Sequence, residues 1–203
     1  MSENSAEDNS YVISPVDDTD KYSKSYRNCT GLIVTGKEKG TGKNISFMSH
    51  QSPLIFSWKM PSGFQEDLAK QIQEIKDRCE DGTIDAVIVG GVYAKVKDFL
   101  EPFSGPDMFI KEYLRSVKSL SRIVKDEIGF EPLVITGPRT EPGDDHVFYD
   151  NQNRRLFLIR DKIKKTNSEN EHDFDTVQGF TPSELEERMK NWKPGEWEIY
   201  RRK

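Results

Sequence analysis

Apolar positions follow two rhythms along this chain. Near the start, Leu32-Ile33-Val34 and Ile45-Ser46-Phe47-Met48 form short β-branched and aromatic clusters around a polar, glycine-rich middle that includes Gly36, Gly40 and Gly42. That pattern predicts two strands joined by a loose hairpin. Later the rhythm turns helical. Leu68, Ile72, Ile75 and Cys79 recur at three- and four-residue intervals before Gly82, so residues 65–80 read as an amphipathic helix. Ile110, Leu114, Val117, Leu120 and Val124 mark a second helix over 107–128, stopped by Gly129.

Between and after the helices stand nearly continuous apolar runs, Ala86-Val87-Ile88-Val89 before Gly90-Gly91 and Leu133-Val134-Ile135 before Gly137-Pro138-Arg139. Both read as buried strands. Residues 146–150 and 155–160 flank Asn151-Gln152-Asn153 and read as a second hairpin. Residues 52–58 leave the first hairpin as a loop or edge segment. Residues 161–179 are polar and expected to be mobile. Thr181-Pro182-Ser183-Glu184 makes a capping box for a short helix to about residue 191, and Trp192, Trp197 and Tyr200 could pack the end of the chain. The order is hairpin, helix, strand, helix, strand, hairpin. It predicts an α/β layered sandwich, with a mixed sheet packed by two main helices. Residues 1–21 read as a disordered tail with a short extended piece at Tyr11-Val12-Ile13, 22–161 as the folded domain, and 162–203 as a polar linker with a helical extension.

The far ends of the first hairpin carry the candidate chemistry. Cys29 opens its first strand and His50 closes its second, and an antiparallel hairpin brings such ends together. A thiol beside an imidazole is a common nucleophile at neutral pH. A lone cysteine in an apolar stretch is usually a small buried hydrophobe, and a histidine at a strand end is usually an ordinary surface residue. The pairing is what promotes them. Arg27 and a protonated His50 would each favour the thiolate. Cys79 lies on the apolar face of a helix and reads as core. His146 and His172 have no recognisable partner. No close pair of cysteines or histidines suggests zinc.

Two glycine patterns are set aside. Residues 36–43 miss the phosphate-loop spacing by one residue, Asn44 follows Lys43, and a strand follows where a helix is required. Gly90-Gly91 lacks the third glycine of a dinucleotide site and more simply permits a close backbone approach.

Composition narrows the class. The 203 residues are 34% apolar and carry 30 basic against 35 acidic side chains, a net charge of −5, well mixed. Neither a general nucleic-acid binder nor a bilayer binder is expected. No apolar run of about 18 residues suggests membrane insertion. The N-terminus lacks an apolar signal core, and two cysteines make no disulfide framework, so a reduced cytoplasmic setting is expected. On that setting, the glycosylation patterns at Asn28 and Asn44 read as chance.

The order of motifs from residue 23 to 160 resembles the chemoreceptor glutamine deamidases, the CheD-like family. Cys29 matches the nucleophile, Met48-Ser49-His50 the histidine segment, and Ala86 to Gly91 the Gly-Gly strand. Residues 107–129 match the long helix, and Gly137-Pro138-Arg139 with Val147-Phe148-Tyr149-Asp150 the closing motif. Ser25-Tyr26-Arg27-Asn28 replaces the family's glycine-rich approach, and the cysteine-to-histidine spacing is longer. The resemblance implies an enzyme that deamidates a reactive glutamine on a partner protein through a thioester, without metal or cofactor. It places the third catalytic group six residues before the cysteine, at Ser23, with Ser25 as the alternative. Tyr26, Arg27, Gln51 and Ser52 would then line the cleft mouth and contact the substrate, or be plain loop residues. Transglutamination and a non-catalytic binding module are the other readings that this chemistry and fold leave open.

Overall fold

The computed structural model describes residues 11–26, 29–56, 62–90, 92–93, 106–135, 138–139, 143–162 and 170–173. Strands β1 (Tyr11–Ile13), β2 (Lys21–Tyr26), β3 (Thr30–Lys37) and β4 (Asn44–Gln51) come first. A 3-10 turn at Pro53–Phe56 leads to helix α1 (Ser62–Arg78), β5 (Asp85–Gly90), β6 (Val92–Tyr93) and helix α2 (Pro106–Ile128). Then come β7 (Leu133–Ile135), β8 (Pro138–Arg139), β9 (Gly143–Asp150), β10 (Arg155–Lys162) and β11 (Asn170–Asp173).

The molecule is an α/β sandwich in layers. A mixed five-stranded sheet runs β1-β4-β3-β5-β7, and a second, antiparallel sheet runs β11-β10-β9-β2. In the first sheet only β5 and β7 are parallel. A parallel pair needs a long crossover, and α2 lies within it. β6 and β8 pair in parallel just beyond the ends of β5 and β7.

Strand periodicity sends alternate side chains of β3 to the two faces of the first sheet. Leu32 and Val34 point to the helices. There they meet Phe47 and Ile88, with Leu68, Ile72 and Ile75 of α1 and Val117, Leu120 and Val124 of α2. Ile33 points the other way, joining Met48, Val89 and Ile135 against Tyr26, Val147, Tyr149, Leu156 and Leu158 of the second sheet. Each such aliphatic side chain, fully buried, contributes roughly 1.5–3 kcal/mol. Cys79 is fully buried in the helix-side core, as its place on the apolar face predicts.

Two expectations about order are corrected. The tail predicted through residue 21 is built into the fold from Tyr11 onward. β1 pairs with β4, Val16 is buried, and Asp17 bridges to Ser46. Lys21 is buried as well, its amine bonded to Asp17 and to Thr19 Oγ1. The polarity of this stretch serves hydrogen bonds along a sheet edge, which composition alone reads as solvation. The second correction concerns 161–179. β10 continues to Lys162, and Asn170–Asp173 pairs with it as an edge strand. Charged, polar edge strands are normal because they discourage pairing with other chains. Residues 1–10, 163–169 and 174–203, with the capping box and the last aromatics, lie outside the described residues.

Candidate active site

The first hairpin forms in the expected register. Thr30 pairs with Gln51 and Ile33 with Met48. Gly31 therefore stands across from His50, and Met48 and His50 share the face of β4 that looks at the second sheet. Cys29, one residue before β3, is half-buried and packs against the core on that same face. Thiol and imidazole thus lie on one face as diagonal neighbours, a relation that spans roughly 7–8 Å at the backbone. The Cys29 backbone is closely covered by β5. A Cβ on Gly90 would come within 2.5 Å of the Cys29 carbonyl oxygen, so only glycine lets the strand pass there.

β2 supplies the other half of the site. A hydrogen bond of 2.9 Å joins Ser23 Oγ to His50 Nδ1. The hydroxyl six residues before the cysteine therefore reaches the imidazole; the side chain of Ser25 lies outside the described residues. Three residues on, the ring of Tyr26 stacks on His50, with centroids 4.0 Å apart and planes 14° from parallel. Strand residues three apart normally face opposite ways. Here the pairing of β2 with β9 shifts between Ser23 and Tyr26, and this bulge turns both side chains inward.

Tyr26 fits because Gly31 has no side chain. A Cβ there would stand 2.7 Å from the Tyr26 hydroxyl and 2.5 Å from the Ser49 carbonyl oxygen. That hydroxyl donates to Ser49 O at 3.2 Å, while Leu32 N–H donates to Ser49 Oγ at 3.0 Å. Both bonds fall in the interval between the Thr30–Gln51 and Ile33–Met48 pairs, where side chains bridge the ladder.

Burial sets the charge state. Desolvation lowers the His50 pKa from 6.5 to about 4, so the imidazole is neutral near pH 7. The expected protonated His50 beside a thiolate is therefore corrected, because a dry site disfavours the cation. Nε2 is buried and makes no hydrogen bond among the described residues. The expected thiol-to-imidazole bond is thus not made at Nε2 in this state. Complete burial pushes the Cys79 thiol pKa up.

The expected cleft mouth is also corrected. Tyr26 is fully buried beneath His50, not displayed to a partner. Gln51 alternates with His50 and so turns to the helix side, where its Nε2 donates to Thr30 Oγ1 at 3.2 Å and the side chain is fully buried. Ser52 is buried too. Its Oγ accepts from Leu54 N at 3.4 Å and its carbonyl from Ile55 N at 3.2 Å, which opens the 3-10 turn. Arg27 lies outside the described residues. One rim residue escaped the sequence reading. Val12 pairs across from His50 and is 47% exposed, so it stands on the same face at the open edge. Its signal was the short apolar triplet at 11–13.

Among the described residues, no cluster of histidine, cysteine and carboxylates gathers that could hold a metal, and no helix is long and apolar enough to cross a membrane. The sequence matches no known family profile and no curated protein.

Proposed function

We propose that this chain is a cysteine-dependent amidohydrolase that deamidates glutamine side chains of a partner protein through a thioester. The observation that carries the reading is the Ser23–His50 bond on the sheet face that also holds Cys29. The order of motifs, with its likeness to chemoreceptor glutamine deamidases, suggests the reaction class, a cytoplasmic setting, and a partner protein that carries a reactive glutamine.

For Nε2 to act as base, Nδ1 must carry the proton and donate it to Ser23 Oγ. Nε2 then takes the Cys29 thiol proton as sulfur attacks the carboxamide carbon. The tetrahedral intermediate collapses, the C–N bond breaks, and the imidazolium returns its proton to the departing ammonia. Water next attacks the thioester, giving its proton to His50. The C–S bond breaks, glutamate leaves, and the thiol is restored. An amine in place of water would give transglutamination by the same path.

Thiol alkylation at neutral pH tests the pair. Cys29 should label much faster than buried Cys79, and His50→Ala should slow Cys29 alone. Equal, slow labelling of both cysteines would sink the enzyme. With a candidate partner, intact mass should rise by about one dalton, the change from amide to acid. A second reading, a binding module of the same fold, draws on the unbonded Nε2. It predicts binding of the partner without that mass change.

A further inference from the structure

Tyr26 is large, aromatic and fully buried, and it lies against the one imidazole the proposed chemistry needs. It is held at both ends. The β2 bulge aims it inward, and its hydroxyl is tied to Ser49 O in the space Gly31 leaves empty. Glycine at 31 and an aromatic at 26 are therefore one device, since a Cβ at 31 would collide with the hydroxyl.

We infer that Tyr26 is the positioning residue for His50: its ring holds the imidazole plane so that Nδ1 stays on Ser23 while Nε2 turns to the Cys29 thiol. The inference rests on the reading of Cys29 and His50 as a catalytic pair. Two nearly parallel rings in contact leave the imidazole free to slide or pivot within its plane and resist its tilting out. A pivot of this kind would let an unbonded Nε2 approach the thiol on the same sheet face while Nδ1 keeps its contact with Ser23. The π face has a second use. When the thiol proton passes to Nε2, His50 becomes a cation in a dry site. An aromatic face stabilises such a cation electrostatically. An aliphatic side chain of similar bulk would fill the space and keep out water but do neither.

Three measurements test this. In the unaltered protein, ring current from the stack should move the His50 carbon-bound ring protons upfield of a free histidine in the NMR spectrum. Unshifted protons overturn the stack whatever the variants do. Tyr26→Leu should abolish that shift and slow Cys29 alkylation at pH 7 about tenfold, the rate effect of one modest electrostatic contact. Tyr26→Phe keeps the ring and should restore both shift and rate to near the unaltered values. A Leu variant that labels as fast as the unaltered protein, while His50→Ala is slow, overturns the positioning role and leaves the catalytic pair standing. If His50→Ala labels as fast as the unaltered protein, the pair itself fails. A Phe variant that stays folded and stacked yet labels slowly assigns the effect to the hydroxyl and likewise overturns the role given to the ring.

Discussion

At the scale of single residues, the decisive property is that His50 resists protonation. An exposed imidazole loses its base function as pH falls through about 6.5. With burial holding His50 near 4, Nε2 keeps its lone pair through the mildly acidic range. The ratio of labelling rates, unaltered protein to His50→Ala, isolates the imidazole from the thiol's own titration. That ratio should hold steady from pH 7 to about 5 and fall only toward 4. A collapse centred near 6.5 would show that the imidazole is solvated. The proposed mechanism needs Nδ1–H donating to Ser23 Oγ, so Ser23→Ala should lower the ratio about tenfold, the effect of one hydrogen bond of roughly 1.4 kcal/mol. A ratio unchanged in Ser23→Ala would remove Ser23 from the mechanism.

At the scale of elements, three strands build the site and they were unequally legible. The β3–β4 hairpin could be read because its apolar clusters flank a glycine-rich tip, and antiparallel closure then put Cys29 and His50 on one face. The two helices and the buried strands declared themselves by period and by glycine stops. β2 did not. Its sequence, Lys-Tyr-Ser-Lys-Ser-Tyr, has no apolar alternation, because the inward Ser23 and Tyr26 bond to partners distant in sequence and buried Lys21 bonds to Asp17 and Thr19. The bulge that turns Tyr26 inward leaves no mark in residue types, so strict alternation displays Tyr26 to solvent. Gln51 was misplaced for the opposite reason: alternation holds there, and it sends Gln51 away from the face of its neighbour His50. β1 was glimpsed as an extended triplet, without the pairing that sets Val12 beside His50. On the proposed function, an exposed valine at that rim touches the protein substrate and not a small reagent. Val12→Lys should therefore lower kcat/KM on the partner about fivefold, the worth of roughly 1 kcal/mol of apolar contact. Alkylation of Cys29 by a small reagent should be unchanged. Equal loss in both assays would mean that Val12 supports the fold of the site instead of the partner.

At the scale of the whole molecule, the face that carries the proposed pair is also a packing face. Cys29, His50, Tyr26 and Ser23 lie in the seam between the two sheets, beside Ile33, Met48 and Val147. Charging His50 is thus a cost to the sandwich itself. The unfolded chain protonates this imidazole near pH 6.5, and the folded chain near 4. Between those values acid binds the unfolded state preferentially, so the stability from a neutral His50 is full above 6.5 and lost as pH falls to about 4. Integrated over that window, the loss reaches roughly 2–3 kcal/mol by pH 4.5. Carboxylates held low by their partners, such as Glu38 bonded to Arg78, titrate too, and a variant that removes only the imidazole separates His50 from them. Urea unfolding at pH 7 and pH 4.5 should therefore show a marked fall for the unaltered protein. His50→Gln, which cannot titrate, should show a fall smaller by roughly 2–3 kcal/mol, even if its stability at pH 7 is lower. Parallel losses in the two proteins would mean that His50 protonates as easily folded as unfolded, and that the seam is open to water.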